Sequence, residues 1–478
     1  MQTLDKSFMF IKSALHLEGS FHSIEEVKKW VTSQNKKINV NVSRIKFEEL
    51  DQWSFSKETH NLKHHSGKFF SIDGIDVKTN WRSVSHWQQP IINQPEIGYL
   101  GFITKEFNGV LYFLLQAKIE PGNVNCVQLS PTLQATKSNY SKIHKGKAPA
   151  YLDYFVNATP SQILLDQLQS EQGARFLKKR NRNIIIKIEE EVPLMDNFIW
   201  LSLAQIKILM QEDNLVNMDT RTVISGISYG DFSKESIEII QLLQEKKVNN
   251  NSNNFNFLKS TLQNSGELHT FEDLIQFITK RKAHYEVEVT KIPIGSIQNW
   301  VVEKDVIRHI DNKYFRVIAA KVEIENREVV SWTQPMIEPA QEGICAFICK
   351  EINGILHFIV QTKLEAGNFD ILELAPTVQC LTGNYRNEKG SSQMPFLKYA
   401  LESKKETIIY DTLQSEEGGR FYKEQNRNML LLADDSIGLE LPENYIWMTL
   451  NQMQLFIKFN NYLNIQARSL IAAISFVS

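Results

Sequence analysis

The chain has few of the features that mark membrane, secreted or nucleic-acid-binding proteins. It holds only four cysteines, and their spacing matches neither a disulfide framework nor a metal-binding motif. No apolar run approaches the roughly 18 residues that a membrane-spanning helix needs, and residues 1–17 lack the apolar block and cleavage site of a signal peptide. The net charge of −2 gives no electrostatic reason to expect a nucleic acid or a membrane surface as partner. We therefore expect a reduced, cytoplasmic protein.

What the chain does have is a long internal repeat. Gln-Ala-Lys-Ile-Glu-Pro-Gly-Asn at 116–123 returns as Gln-Thr-Lys-Leu-Glu-Ala-Gly-Asn at 361–368. The other repeated strings are 87–90 with 332–335, 129–134 with 374–379, and 168–176 with 413–421. The offset stays constant from Trp87 to Asn183 and then slips by two residues. A gap-free register over that stretch, polar loop residues included, indicates a duplicated domain and not a short-period solenoid.

Length and composition agree with two domains. A chain of 478 residues is too long for one core, and its 42% hydrophobic content suffices for two packed ones. The asparagine run at 249–254 has no apolar periodicity and predicts a solvated linker. We therefore divide the chain into an N-terminal copy at 1–235, an Asn-rich linker at 236–261 and a C-terminal copy at 262–478.

Both copies carry the same local signals. Ser23 and Thr270 each precede acids and apolar residues in the pattern of a helix N-terminus. Strands joined by Asn-Gly hairpin turns are predicted at 98–103 and 110–116, and again at 343–348 and 355–361. Amphipathic segments at 201–210 and 448–456 close the copies. The predicted fold class is α+β, with two similar domains that each hold a mixed or antiparallel sheet flanked by helices.

Lys118 and Glu120 are the first candidates for chemistry. They lie two residues apart at the end of an apolar strand, so their side chains point to the same face. One interpretation is an acid–base pair at a sheet end. The other is a lone ion pair that contributes little. Spacing alone leaves both open.

Arg175 and Arg182 are candidates for holding a diphosphate. They are seven residues apart and would share one face of a continuous helix, where two arginines can bind phosphate oxygens with charge-assisted hydrogen bonds. Asn181 and Asn183 are more typical of a helix exit, and a solvated basic helix is the alternative.

Aromatic and amide side chains supply further candidates. Asn139 and Tyr140 follow a Pro-Thr-x-Gln segment and offer donors to a sugar or base, or else form an ordinary turn. Trp53 aligns with Trp300 at the slipped offset, and a tryptophan can stack on a pyrimidine base, although a packing role is equally open.

At this point the repeated strings resemble a known family. The segments 116–123, 129–140 and 168–176, with their counterparts in the C-terminal copy, look like the NDP-hexose 2,3-dehydratases of deoxysugar biosynthesis. The resemblance covers almost the whole chain. It implies dTDP-4-keto-6-deoxyglucose as substrate, a homodimer, a fold related to the Nudix hydrolases, and a 3-ketoreductase downstream. The Arg-Glu-x-x-Glu-Glu helix that carries magnesium in Nudix enzymes does not follow either Pro-Thr segment, so we expect no metal and no other cofactor.

The resemblance assigns roles to the candidates. Lys118, Glu120 and Tyr140 are the candidates for proton transfer, and which is base and which is acid stays open. The substrate-binding candidates are Trp53, Trp87, Gln116, Asn123, Thr132, Lys137, Ser138, Asn139, Ser170, Glu171, Gly173, Arg175 and Arg182. The second-pocket candidates are Trp300, Gly383, Asn384, Tyr385, Arg386, Ser415, Glu416 and Arg420.

The two copies differ where an anionic ligand would matter. Thr136, Lys137, Lys179 and Arg180 of the N-terminal copy correspond to Leu381, Thr382, Glu424 and Gln425. This loss of basic and polar groups predicts a working pocket in the N-terminal copy and a relic or structural pocket in the C-terminal copy. The alternatives are a catalytically silent nucleotide-sugar-binding module, and a glycan hydrolase. The motifs lack the two facing carboxylates that a hydrolase uses.

Overall fold

The structure is a computed structural model that describes residues 3–81, 84–136, 149–230, 252–325, 330–385 and 394–478. The described residues form helices and sheets in both halves, which confirms the α+β class. No helix in these ranges has the length and apolar character needed to cross a membrane.

The N-terminal copy contributes helices α1–α5 and strands β1–β12. The helices are α1 (Thr3–Ala14), α2 (Ile24–Lys36), α3 (Leu152–Val156), α4 (Leu203–Leu209) and α5 (Met218–Ser225). The strands are β1 (Val40–Ile45), β2 (Trp53–Phe55), β3 (Leu62–His64), β4 (Ser71–Thr79), β5 (His86–Asn93), β6 (Gly98–Phe107), β7 (Val110–Ile119), β8 (Val127–Ser130), β9 (Leu133–Ala135), β10 (Ile163–Ser170), β11 (Arg180–Ile188) and β12 (Phe198–Ser202).

The C-terminal copy repeats this order. Its helices are α6 (Ser252–Leu262), α7 (Phe271–His284), α8 (Leu397–Leu401), α9 (Leu450–Ile457) and α10 (Ile465–Ala473). Its strands are β13 (Val287–Ile292), β14 (Trp300–Val302), β15 (Val306–His309), β16 (Phe315–Ile324), β17 (Ser331–Pro339), β18 (Gly343–Ile352), β19 (Ile355–Lys363), β20 (Glu373–Ala375), β21 (Val378–Leu381), β22 (Ile408–Ser415), β23 (Gln425–Leu432) and β24 (Tyr445–Thr449).

The predicted local signals appear in the structure. Ser23 and Thr270 form capping boxes at the starts of α2 and α7, and the predicted hairpins are β6–β7 and β18–β19. The Asn-rich linker was predicted too long, because residues 252–261 belong to α6. Leu258 of that helix is buried, and the helix packs on β19.

Each copy holds one large mixed sheet. Its strand order is β10-β11-β6-β7-β12 in the N-terminal copy, with β9 on β6 and β8 on β7, and the C-terminal sheet has the equivalent order. The pairing of β11 with β6 is parallel, and the other pairs in that sheet are antiparallel. This arrangement brings the ends of β7 and β9 to one side of the sheet.

The two small sheets exchange a strand between the copies. Strand β1 of the N-terminal copy pairs antiparallel with β16, and β13 of the C-terminal copy pairs antiparallel with β4. Each small sheet therefore has five strands, four from one copy and one from the other. Buried residues of both copies also share one hydrophobic cluster, in which Phe176 and Phe421 meet edge to face at 5.8 Å between centroids. The two copies form one interlocked unit.

Glycines allow the copies to touch through their backbones. The amide of Gly122 donates to the carbonyl of Gly418 at 2.8 Å, and the amide of Gly367 donates to the carbonyl of Gly173 at 2.7 Å. A β-carbon on Gly122 would overlap the carbonyl oxygen of Phe421. Only glycine permits this approach.

We expect Gly122→Ala to lower the free energy of unfolding by at least about 2 kcal/mol, because backbone atoms of the other copy cannot move aside without breaking this contact. Chemical denaturation measures the change. Gly438→Ala is the matched control, since a β-carbon there meets nothing within 4 Å and should change stability by less than about 0.5 kcal/mol. Equal effects from both variants would contradict the tight contact.

Candidate active site

Lys118 and Glu120 form a partly buried ion pair at the end of β7. The Lys118 Nζ lies 3.8 Å from Glu120 Oε1 and 3.4 Å from the carbonyl oxygen of Gln134. The Gln134 amide donates to Glu120 Oε1 at 2.7 Å. The other oxygen, Oε2, is buried and has no hydrogen-bond partner among the described residues. One carboxylate oxygen is therefore fixed by Gln134, and the other is a buried acceptor without a partner among the described residues.

The C-terminal copy repeats this arrangement. Lys363 Nζ donates to the carbonyl of Gln379 at 2.9 Å, and the Gln379 amide donates to Glu365 Oε1 at 3.1 Å. Burial raises the pKa of Glu365, and Lys363 partly offsets the effect. Both copies have the same hydrogen bonds around the lysine and the glutamate. The pair is therefore a repeated feature of the fold and not a chance surface contact.

A cavity of about 570 Å³ opens over the C-terminal pair. This volume lies within the range of about 300–1,000 Å³ that is typical of small-molecule sites. Lys363, Glu365 and Trp300 line it, together with Arg175 and Trp87 from the N-terminal copy. The cavity is therefore composite, with walls from both halves of the chain.

This placement changes the assignment of the motif arginines. We predicted that Arg175 serves the pocket of Lys118, but it lies in the cavity of Lys363, with its guanidinium 4.2 Å from the ring centroid of Phe315. Arg420 makes the equivalent contact with Phe70 at 4.2 Å. The reason is that each Ser-Glu-x-Gly-x-Arg-Phe loop packs against the other copy. We call the region of Lys118 the N-terminal pocket and that of Lys363 the C-terminal pocket.

Arg182 lies elsewhere. Residues 180–188 form strand β11, so the helix face considered for Arg175 and Arg182 does not exist. Arg182 instead makes two hydrogen bonds to Asp166, at 2.7 and 2.6 Å, and one to the Tyr99 hydroxyl at 2.9 Å. Asp166 raises the pKa of Arg182. The charge of Arg182 is already paired with the Asp166 carboxylate, so Arg182 is poorly placed to bind a diphosphate.

Several other predicted binding residues support the sheets or the contact between copies. The buried Thr132 hydroxyl accepts from the amide of Ile103 at 3.0 Å, and Gln116 lies in β7 opposite Ser130 and Phe198. Asn123 donates to the carbonyl of Cys126 at 2.8 Å. These residues hold the frame around the Lys118–Glu120 pair.

The residues of the Ser-Glu-x-Gly motif are buried between the copies. Ser170 donates to Glu373 at 2.9 Å, and its equivalent Ser415 donates to Gln128 at 2.9 Å. Gly173 packs against Asn368. The Glu171 carboxylate accepts from Asn181 at 2.6 Å, and burial raises its pKa.

The aromatic candidates lie on the small sheets. Trp53 in β2 is buried against Phe70, with ring centroids 4.8 Å apart, and Phe70 is also the aromatic partner of Arg420. Trp300 donates through its ring nitrogen to the carbonyl of Gln88 at 2.9 Å. Each tryptophan therefore packs against the phenylalanine that a motif arginine contacts, and Trp300 also lines the cavity.

Some candidates cannot be placed. Lys137, Ser138, Asn139, Tyr140 and Arg386 lie outside the described residues. Gly383, Asn384 and Tyr385 form a short 3₁₀ turn, and the structure describes no side chain for the last two. The roles of these residues stay predictions.

Two acidic side chains of the C-terminal copy, Glu417 in the repeated motif and Glu424 just after it, were not among the candidate site residues. Glu417 belongs to the C-terminal copy but faces Glu120, and burial together with Glu120 raises the pKa of Glu417 to about 7. Glu424 faces Glu416, whose pKa burial and Glu424 raise to about 8. Aligning the two copies could have identified both residues, because Glu417 stands where the N-terminal copy has Gln172 and Glu424 stands where it has Lys179. Among the described residues, no group of three histidine, cysteine or acidic side chains is arranged to hold a metal ion.

Comparison with known proteins identifies the family. The model of the NDP-hexose 2,3-dehydratase family matches residues 24–227 and again 271–474. A dTDP-4-dehydro-6-deoxy-alpha-D-glucopyranose 2,3-dehydratase of Saccharopolyspora spinosa is 40% identical over 465 residues, which is 97% of this chain and 94% of the relative. Proteins of the same name from Amycolatopsis orientalis (38% over 474 residues; 97% and 92%) and Streptomyces violaceoruber (37% over 452 residues; 93% and 95%) are also similar.

The chain belongs to the NDP-hexose 2,3-dehydratase family, as the resemblance of its repeated strings indicated. It is accordingly an enzyme of the hydro-lyase class. The two matched segments also agree with the internal duplication.

Proposed function

We propose that this chain removes water from dTDP-4-keto-6-deoxyglucose, giving the nucleotide of a 3,4-diketo-2,6-dideoxyhexose. The observation that carries the proposal is the buried lysine–glutamate pair with one unpartnered carboxylate oxygen, in a family whose relatives bear that name. The site would lie in the N-terminal pocket.

The substrate itself supplies much of the activation. Its C-4 ketone acidifies the hydrogen on C-3, and the C-2 hydroxyl lies β to that ketone. A base removes the C-3 proton, an enolate forms, and the C-2 oxygen leaves as water with help from an acid. The enol left at C-3 then tautomerises to the diketone. The protein must therefore provide a base, an acid and donors that stabilise the enolate.

Lys118 and Glu120 fit these requirements. Glu120 presents a free carboxylate oxygen for a proton. Lys118 holds a positive charge beside it and can stabilise an enolate oxygen. Tyr140 is the third candidate for proton transfer, on the strength of the sequence.

The nucleotide would bind between the copies. The Arg420 guanidinium lies over the ring of Phe70, 4.2 Å from its centroid, beside the N-terminal pocket, and a guanidinium is suited to a diphosphate. Trp53, which packs against Phe70, is the candidate for stacking on the base. Binding energy from this remote part of the substrate would orient the sugar over Lys118 and Glu120.

The C-terminal pocket would have a structural or accessory role. Glu424 stands where the N-terminal copy has Lys179, so that Glu416 and Glu424 place two carboxyls beside each other in the cavity. The C-terminal pocket therefore has an acid where the N-terminal copy has a lysine, which can donate to a phosphate oxygen.

We also propose a relationship to the Nudix fold, a homodimer, and a downstream 3-ketoreductase that consumes the unstable diketone. A nucleotide-sugar substrate and four free cysteines fit a reducing cytoplasm. The mixed sheet flanked by helices in each copy supports the fold relationship.

Mass spectrometry tests the reaction. We expect dTDP-4-keto-6-deoxyglucose incubated with the pure protein to lose one water, at a rate unchanged by EDTA or by removal of nicotinamide, because the ketone already activates C-3. An oxime trap or an added 3-ketoreductase captures the product. Boiled protein is the control. Activity lost on chelation, or release of free dTMP, would contradict the proposed reaction.

A further inference from the structure

One position of the Ser-Glu-x-Gly motif distinguishes the two pockets. It is Gln172 in the N-terminal copy and Glu417 in the C-terminal copy. Because each motif loop packs against the other copy, the N-terminal pocket receives Glu417 and the C-terminal pocket receives Gln172. The Glu417 carboxylate therefore lies in the pocket that holds Lys118 and Glu120.

Backbone contacts fix Glu417 beside Glu120. The carbonyl of Gly418 accepts from the amide of Gly122 at 2.8 Å, and a β-carbon on Gly418 would lie 2.9 Å from the β-carbon of Glu120. Glu417 Oε1 accepts from the amide of Gly419 at 2.8 Å. The Gly122–Gly418 bond joins the two copies, so the backbone next to Glu417 is held against Glu120.

The surroundings of Glu417 favour its protonated form. Burial is the largest cause of the raised pKa of Glu417, Glu120 and Glu171 add to it, and Arg420 partly opposes them. Two neighbouring carboxyls seldom ionise together, because like charges repel in a poorly hydrated site. The equivalent Gln172 in the other pocket is hydrogen-bonded to Glu416 and has no acidic proton to give.

We propose that Glu417 is the general acid of the N-terminal pocket and protonates the departing C-2 hydroxyl. This inference rests on the proposed function. The base of the Lys118–Glu120 pair takes the proton from C-3, and the C–H electrons become the enolate. Those electrons then form the C-2–C-3 double bond while the C-2–O bond breaks, and Glu417 supplies the proton that makes the leaving group water. The proton taken from C-3 replaces the one that Glu417 gave, so the site returns to its starting state.

The proposal separates proton removal from water loss. Glu417→Gln keeps the size of the side chain but removes the acidic proton. We expect dehydration to fall at least about 100-fold, while the C-3 hydrogen still exchanges with D₂O, which NMR of the substrate follows. Glu417→Asp should recover part of the dehydration rate, and it also provides a second variant if Glu417→Gln does not fold.

A swap of the two residues is the matched control. The double variant Glu417→Gln with Gln172→Glu has the composition and net charge of the natural chain, with the carboxylate moved to the C-terminal pocket. We expect it to be as impaired as Glu417→Gln alone. Thermal denaturation and dTDP binding establish that each variant is folded.

Three results would overturn the inference. The first is that Glu417→Gln dehydrates the substrate within about twofold of the rate of the natural chain. The second is that folded Glu417→Gln loses C-3 exchange together with dehydration. The third is that the swap variant recovers activity. Each leaves the proposed function standing if the natural chain dehydrates the substrate. No water loss by the natural chain contradicts the proposed function itself.

Discussion

Lys118→Ala and Glu120→Gln are each expected to lower turnover at least about 100-fold, because each removes a group that moves a proton or stabilises the enolate. Lys363→Ala and Glu365→Gln make the same changes in the C-terminal pocket and should lower turnover far less. The four variants alter equivalent side chains at the ends of β7 and β19, so they share similar structural costs. Turnover at saturating substrate is the measurement.

The comparison is decisive because the chain supplies its own controls. Circular dichroism and thermal denaturation show whether each variant is folded. If folded Lys363→Ala and Glu365→Gln lose as much turnover as the N-terminal variants, the active site lies in the C-terminal pocket or requires both pockets.

Arg420→Ala should weaken nucleotide binding at the N-terminal pocket by about 1.5–3 kcal/mol, at least roughly a tenfold change in the dissociation constant. The reason is that its charged guanidinium, stacked on Phe70, would lose direct hydrogen bonds to the diphosphate. We expect the KM of the dehydration to rise accordingly. Calorimetry with dTDP, alongside kinetics, measures both effects.

Arg175→Ala is the matched variant. Since Arg175 lies in the C-terminal cavity, its removal should affect dTDP binding there and leave the KM nearly unchanged. A raised KM in Arg175→Ala with a normal KM in Arg420→Ala would mean that each arginine serves its own copy, which the crossed loops argue against. Unchanged binding in both would make the arginines structural.

Local features were predictable from the sequence because neighbouring residues determine them. The capping boxes at Ser23 and Thr270 and the two Asn-Gly hairpins follow the expected patterns. The alternation along β7 also places Lys118 and Glu120 together, as the structure shows. These predictions depended on contacts between residues only a few positions apart.

The exchange of β1 and β13 was not predictable in the same way. The two strands have the same alternation of exposed and partly buried residues, so either would fit either small sheet. Their pattern predicts a strand and the face that it buries. It does not predict which copy supplies the partner strand. That choice depends on contacts between residues more than 200 positions apart, such as Val42 with Val322.

Arg175 and Arg182 show a second limit. A spacing of seven suggests a helix, but residues 180–188 form a strand that pairs with β6 and β10. Asp166, the partner of Arg182, lies on the neighbouring strand, so a local sequence pattern could not predict this ion pair. The location of Arg175 required knowledge of which copy its loop contacts.

The exchanged strands and crossed loops give the two halves the geometry of a symmetric dimer joined into one polypeptide. In a true dimer one gene encodes both subunits, so every substitution alters two pockets at once. Here each position of the pocket occurs twice in the chain, so a substitution changes one pocket and leaves the other unaltered. Glu417 and Gln172 differ for this reason, and so do Lys179 and Glu424. One pocket can therefore carry a side chain that its counterpart lacks, an option closed to two identical subunits.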